Sequence, residues 1–329
     1  MLLLLWVGFL ALILALLLVD LLLVNRGAHV IPMRTALAWT AFYAVLAVGF
    51  GGLVYLMFEH GWMGAGTEFG VGLSPHDAAL QYLTGWLLEQ SLSLDNVFVI
   101  ALVFAYFGVP LSQQHRVLFW GILGVLIMRG FMIGAGALLI QRFDWIIYVF
   151  GALLLLTAGK LLFSGEEAPD PNKNLFVRLF RRLYPVTDGF RGSQFFVQEN
   201  GKRTMTPLFL ALIVVESTDL LFAVDSIPAV FAVTREPFLV FTSNIFAILG
   251  LRSLYFTLAG LMQRFARVKH ALVFILAFVG VKMLISHHYH VPDLVSLAVI
   301  AGSLTAGVLA SLLGTPAQHE EPEEPGRKG

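Results

Sequence analysis

This chain predicts an all-α polytopic membrane protein of about nine transmembrane helices, with an inverted three-plus-three helix repeat at its centre. Three observations predict it. Of its 329 residues 58% are hydrophobic and only 13% charged, about half the charge of a soluble domain. Nine apolar stretches approach or exceed the roughly 20 helical residues that cross a hydrocarbon core. An acidic motif inside one apolar stretch recurs inside another, followed each time by the same landmarks.

The stretches fall at residues 2–24, 36–58, 78–107, 116–139, 144–163, 207–233, 237–261, 270–286 and 292–313. The first resembles a secretion signal in composition. It is too long, however, and lacks both a basic start and a small-residue cleavage pattern before Asn25, so it reads as a retained span. Residues 1–74 then form a two-helix extension, 75–164 the first three-helix unit, 207–288 the second, and 289–315 a last helix. Residues 165–206 are the one long polar connection. They hold a basic amphipathic piece, Leu175-Phe-Val-Arg-Leu-Phe-Arg-Arg-Leu183, expected at the membrane surface. Residues 316–329, rich in Glu and Pro, read as a disordered tail.

Basic residues set the orientation. With the N-terminus outside, the inner loops and tail gather Arg26, Arg34, Arg116, the cations from Lys173 to Arg203, then Arg264, Arg267, Lys269, Arg327 and Lys328. The outer loops hold only Arg142 and Arg235. Excess Lys and Arg mark the cytoplasmic side, so the chain is expected to run N-out, C-in.

The repeat shows as landmarks in order. Glu89-Gln-Ser-Leu-Ser-Leu-Asp95-Asn96-Val97 corresponds to Asp219-Leu-Leu-Phe-Ala-Val-Asp225-Ser226-Ile227, with Glu216 just before the second. Leu123-Gly124…Arg129 is answered by Leu249-Gly250…Arg252, Gln141-Arg142-Phe143 by Gln263-Arg264-Phe265, and Lys160-Leu161 by Lys282-Met283. Each unit has three helices, and copies with an odd number of spans enter the membrane from opposite sides. Such inverted repeats place ligand sites near midplane, where they meet.

Carboxylates inside hydrocarbon cost several kcal/mol, so Glu89, Asp95, Glu216, Asp219 and Asp225 mark an ion path. Six residues turn a straight helix about 240° between its two acids, which therefore cannot share a ligand unless the helix unwinds. Pro228 offers unwinding beside Asp225, and Ser91, Ser93 and Asn96 suggest it in the third span. Asn96, Ser226 and Asn244 would add neutral oxygens, with Arg129 and Arg252 as counter-charges. Such an oxygen-only shell suits hard cations such as Mg²⁺, Ca²⁺ or Mn²⁺. The chain has no cysteine, which excludes disulfides and thiolate metal sites.

A plainer reading pairs the same acids with Arg129, Arg252, Lys160 and Lys282 as structural salt bridges. Yet buried ion pairs stabilise poorly and call for another reason to exist. Lys160 and Lys282, near span ends, are expected to snorkel to the interface. His287, His288 and His290 with Asp293 form a weak candidate for an external cation site. No Walker A pattern, nucleophile–base constellation or cofactor motif is present, so neither ATP-driven transport nor an enzyme is indicated.

At these residues the chain resembles the TerC/Alx family of bacterial integral membrane proteins. The two acidic stretches carry the likeness, the second running from Val215 to Thr234. So do Thr242-Ser-Asn-Ile-Phe-Ala-Ile-Leu-Gly-Leu-Arg-Ser-Leu-Tyr-Phe256 and Phe143-Asp-Trp-Ile-Ile-Tyr-Val-Phe-Gly-Ala152. Arg26-Gly-Ala-His29 and Phe195-Phe-Val197 are closest to the Alx branch. The resemblance implies Mn²⁺ export across the bacterial cytoplasmic membrane, with the five acids as the family's membrane carboxylates. Mn²⁺ is then substrate, not a resident cofactor, and the other partner is the lipid bilayer; nothing suggests nucleic acid. Two other readings stand beside it: a transporter of another cation, Ca²⁺ or Na⁺, and a non-transporting sensor or scaffold acting through the central loop.

Overall fold

The computed structural model describes residues 1–19, 32–163, 174–199, 201–258, 268–286, 288–289 and 291–313. Arg26 to His29, the second Gln-Arg-Phe landmark, His287, His290 and the C-terminal tail lie outside the described residues. The helices are α1 (Leu2–Val19), α2 (Met33–His60), α3 (Pro75–Phe107), α4 (Leu111–Arg142), α5 (Ile146–Phe163), α6 (Leu175–Leu183), α7 (Pro207–Phe231), α8 (Pro237–Leu258), α9 (Val268–Ile285) and α10 (Asp293–Leu313). Among the described residues nine helices, all but the short α6, are long and apolar enough to cross a membrane. Each overlays one of the expected stretches.

Local chemistry explains the ends of α3, which carries the whole of the first acidic motif. Ser74 caps it by accepting from the Asp77 amide, and Pro75 takes the first helical position, where its missing N–H costs nothing. Gly108 closes it with φ +64°, a left-handed turn that a side chain would disfavour.

The centre of the bundle is α8, buried on nearly every side and correspondingly apolar all round. It packs on α2, α3 and α4, while Trp6 and Phe9 of α1 meet Phe238 edge-on. Helix α7 lies against α3 and α4, α10 against α3 and α9, and α5 against α9. That last pair approaches through glycines. A Cβ on Gly280 would stand 3.1 Å from the Gly151 carbonyl oxygen, and one on Gly151 3.2 Å from that of Gly280. Gly151→Leu is expected to force these backbones apart and cost about 1–3 kcal/mol, read as a lower unfolding temperature in detergent.

Two expectations change. The helices do not unwind at their acids: α3 is continuous through residues 91–96, and α7 continues past Asp225 and Pro228 to Phe231. Proline removes one ladder bond, but α7 ends three residues later, so little helix remains to be deflected. The central connection, moreover, holds more than an amphipathic helix. β1 (Phe196–Glu199) and β2 (Lys202–Met205) form an antiparallel hairpin with Glu199 opposite Lys202. Asn200-Gly201 between them is the dipeptide that two-residue hairpin loops favour, a signal present in the sequence, and Gly201 has φ +74°.

Helix α6 does not stand apart from the bundle. Phe180 meets Phe209 edge-on, and Asn174 reaches Ser217, so α6 runs antiparallel along the first turns of α7.

Candidate functional site

The site is built from two stripes. Seven residues turn a helix through almost two full turns, so Glu89 and Asn96 share one face of α3, and Asp219 and Ser226 one face of α7. Glu89 and Asp219 also fall near the midpoints of their helices. Arg129 enters from α4 and Asn244 from α8, and all six side chains are buried.

Arg129 ties them together. Its Nε and Nη2 donate to the two oxygens of Asp219 at 3.3 and 3.1 Å, a side-on fork that a guanidinium fits and an ammonium does not. Its Nη1 donates to Glu89, to Asn244 Oδ1 at 2.8 Å and to Ser226 Oγ at 3.3 Å. Asn96 Nδ2 adds a longer bond to Asp219 Oδ1, 3.4 Å. Two carboxylates thus face one guanidinium. With both ionised, one negative charge is left over in a place without water's dielectric. Glu89 Oε2 and Asn244 Nδ2 are buried with no hydrogen-bonding partner among the described residues.

The remaining acids sit differently. Glu216, half-buried, rests against α4, where a Cβ on Gly124 would run into its carboxylate and one on Gly121 would lie 3.9 Å away. Gly124, of the first Leu-Gly landmark, is therefore a berth for a carboxyl group. Asp225 is half-buried and turned away from the stripe of Asp219; its Oδ1 accepts from Thr157 of α5 at 2.8 Å. Asp95 is likewise half-buried, about 240° round α3 from Glu89. Arg252, the matching base on α8, is buried too. Among the described residues, no three His, Asp or Glu side chains gather as a metal ion would require.

The structure pairs Glu89 and Asp219 with Arg129, one of the bases the sequence offered, and adds Thr157 beside Asp225 and Gly124 beside Glu216, neighbours that sequence reasoning did not name. Thr157 lies one turn from Lys160, the only signal available. Lys282 is a correction. Instead of snorkelling it is buried where α3, α9 and α10 meet, because oxygens of α10 lie within its reach. Its Nζ donates to Ser296 Oγ at 2.8 Å and stands 3.7 Å from Asp293 Oδ1, whose Oδ2 accepts from Gln81 at 2.9 Å. Gln81, Lys282 and Asp293 line a cavity of about 420 Å³ together with Arg235, Glu236 and Tyr289. Asp293 is thus engaged by Lys282 and Gln81 rather than by His288. Lys160, by contrast, is exposed, as expected.

Known proteins place the chain. It is 47% identical over 309 residues to an uncharacterized membrane protein of Myxococcus xanthus, covering 94% of this chain and 92% of that one. It is 46% identical over 302 residues, 92% of each chain, to the Escherichia coli K12 protein named "Putative membrane-bound redox modulator Alx". An uncharacterized membrane protein of Rickettsia bellii is 38% identical over 94% of this chain and 97% of its own. No solved structure matches it. The description "Integral membrane protein TerC family" fits residues 74–319, which include all five acids, and the chain is a member of that family.

Proposed function

We propose that this protein is a secondary transporter that exports Mn²⁺ across the bacterial cytoplasmic membrane, with its N-terminus outside and its C-terminus in the cytoplasm. The observation that carries the reading is the buried cluster around Arg129: two carboxyl groups on one guanidinium, set among neutral oxygens, at mid-helix. A cluster kept only for stability would do as well with apolar side chains. The half-buried Asp95, Glu216 and Asp225 are the acids a cation meets first. Glu89 and Asp219 become ligands when Arg129 lets go, which makes the guanidinium a tethered stand-in for the ion. The pairing of α3 with α7 and α8, and of α4 with α8 and α7, supports two related units rocking about a shared axis. The choice of Mn²⁺, and of outward movement, comes from the family resemblance. Carboxylates that release a metal take up protons, so we propose exchange with H⁺. Thiol redox chemistry is not open to this chain, which has no cysteine.

One observation favours the non-transporting reading: Glu89 and Asp219 are already paired. Flux decides between them. In proteoliposomes loaded with Mn²⁺, the native chain is expected to pass the ion, faster with an opposing pH gradient, and Asp95→Asn or Asp225→Asn to reduce flux at least about tenfold, a loss of roughly 1.4 kcal/mol of interaction. Flux indifferent to both changes would remove the carboxylate pathway. Faster passage of Ca²⁺ or Na⁺ in competition would replace the cargo.

A further inference from the structure

Helix α6 and the first turns of α7 form a unit with an unexplained outer face. On the inner side of that unit Val177 is fully buried, Phe180 meets Phe209 edge-on, and the Phe196 ring centre lies 4.4 Å from that of Phe209. Arg116 and Arg203, over the rings of Phe195 and Phe196, brace the hairpin. On the outer side Leu175, Phe176, Leu179 and Leu183 are exposed, beside Arg178, Arg181 and Arg182. The helix contains no acid. Because it runs antiparallel to α7, its apolar start lies toward the middle of α7 and its arginines toward the end where α7 begins. That gradient matches a lipid leaflet, acyl chains deep and phosphates shallow.

The deep end is latched. Asn174 caps α6, its Oδ1 accepting from the amides of Phe176 and Val177, while its Nδ2 donates to Ser217 Oγ at 2.6 Å. Ser217 stands ten residues into α7, about 15 Å along it, between Glu216 and Asp219.

We propose that α6 is an arm that binds anionic lipid, with Leu175, Phe176 and Leu179 against the acyl chains and Arg178, Arg181 and Arg182 on the phosphates, and that the Asn174–Ser217 bond transmits its position to α7 beside Glu216. The inference rests on the proposed orientation, which puts this end of the bundle in the cytoplasmic leaflet, and not on the identity of the cargo.

Hydrogen exchange on the full chain tests it, in nanodiscs of phosphatidylcholine alone and with phosphatidylglycerol added. Exchange across residues 175–183 is expected to slow in the anionic discs by roughly fivefold for each arginine engaged. Replacing all three arginines by glutamine should equalise the two discs, and Arg182→Gln alone should lose part of the difference should the triple variant misfold. Asn174→Ala should keep the slowing in α6 but lose it across residues 214–219. Equal exchange in both discs, a lipid effect surviving the arginine changes, or slowing produced by inorganic phosphate in neutral discs would each overturn lipid binding. Slowing at residues 214–219 that survives Asn174→Ala would overturn the latch. None of these readouts involves Mn²⁺, so failure here and failure of the transport assay are separate results.

Discussion

Arg129→Met is expected to destabilise the protein by about 3–5 kcal/mol, because it leaves Glu89 and Asp219 buried without their counter-charge. The cost belongs to the stranded carboxylates rather than to the lost arginine. Adding Glu89→Gln and Asp219→Asn to Arg129→Met should therefore recover most of it, although the triple variant has lost every charge of the cluster. Thermal unfolding in detergent gives the comparison. A triple variant no more stable than the single one would mean that Arg129 acts by filling space. The same triple variant is expected to fold and pass no Mn²⁺, which separates the cluster's part in stability from its part in transport.

Lys282→Met is expected to cost about 3 kcal/mol, at the lower end for a buried pair, since the cavity beside Asp293 admits water to the stranded carboxylate. Asp293→Asn in the same chain should restore most of the loss, as Gln81 still has an amide to bond and Ser296 no longer faces a charge. Both variants are read by unfolding temperature. Additive losses, with no recovery in the double variant, would show that the 3.7 Å pair is not a working ion pair. The two arginine and lysine pairs differ in one useful respect. Arg129 sits mid-bundle and its triple variant should abolish flux, whereas neutralising Lys282 and Asp293 together should leave flux largely intact.

The spans were legible because bilayer thickness demands about 20 apolar residues in a row, a constraint written locally in the chain. The breaks expected beside the acids did not form, whereas the ends of α3 are set by Ser74 and Gly108, which act within a turn of themselves. The acids were legible as a set, since a carboxylate in an apolar run is anomalous wherever it ends up. Their division was not. Glu89 and Asp219 are locked to a single guanidinium, while Asp225 is held by a threonine on another helix. Only the packing of α3, α4, α5 and α7 decides which acid meets which partner.

Lys282 shows the limit most clearly. Its place near a span end argues for snorkelling, a rule that assumes lipid beside the helix. A buried serine and aspartate on α10 lie there instead, fourteen or fewer residues away in sequence but in another helix. Sequence by itself determined that this is a helical membrane chain, where its spans lie and which side chains are out of place in them, because hydrophobicity and helix period act along the chain. Tertiary structure decided who neutralises whom, because charges in a low dielectric are paired by distance, and distance between helices is set by packing that no single segment encodes.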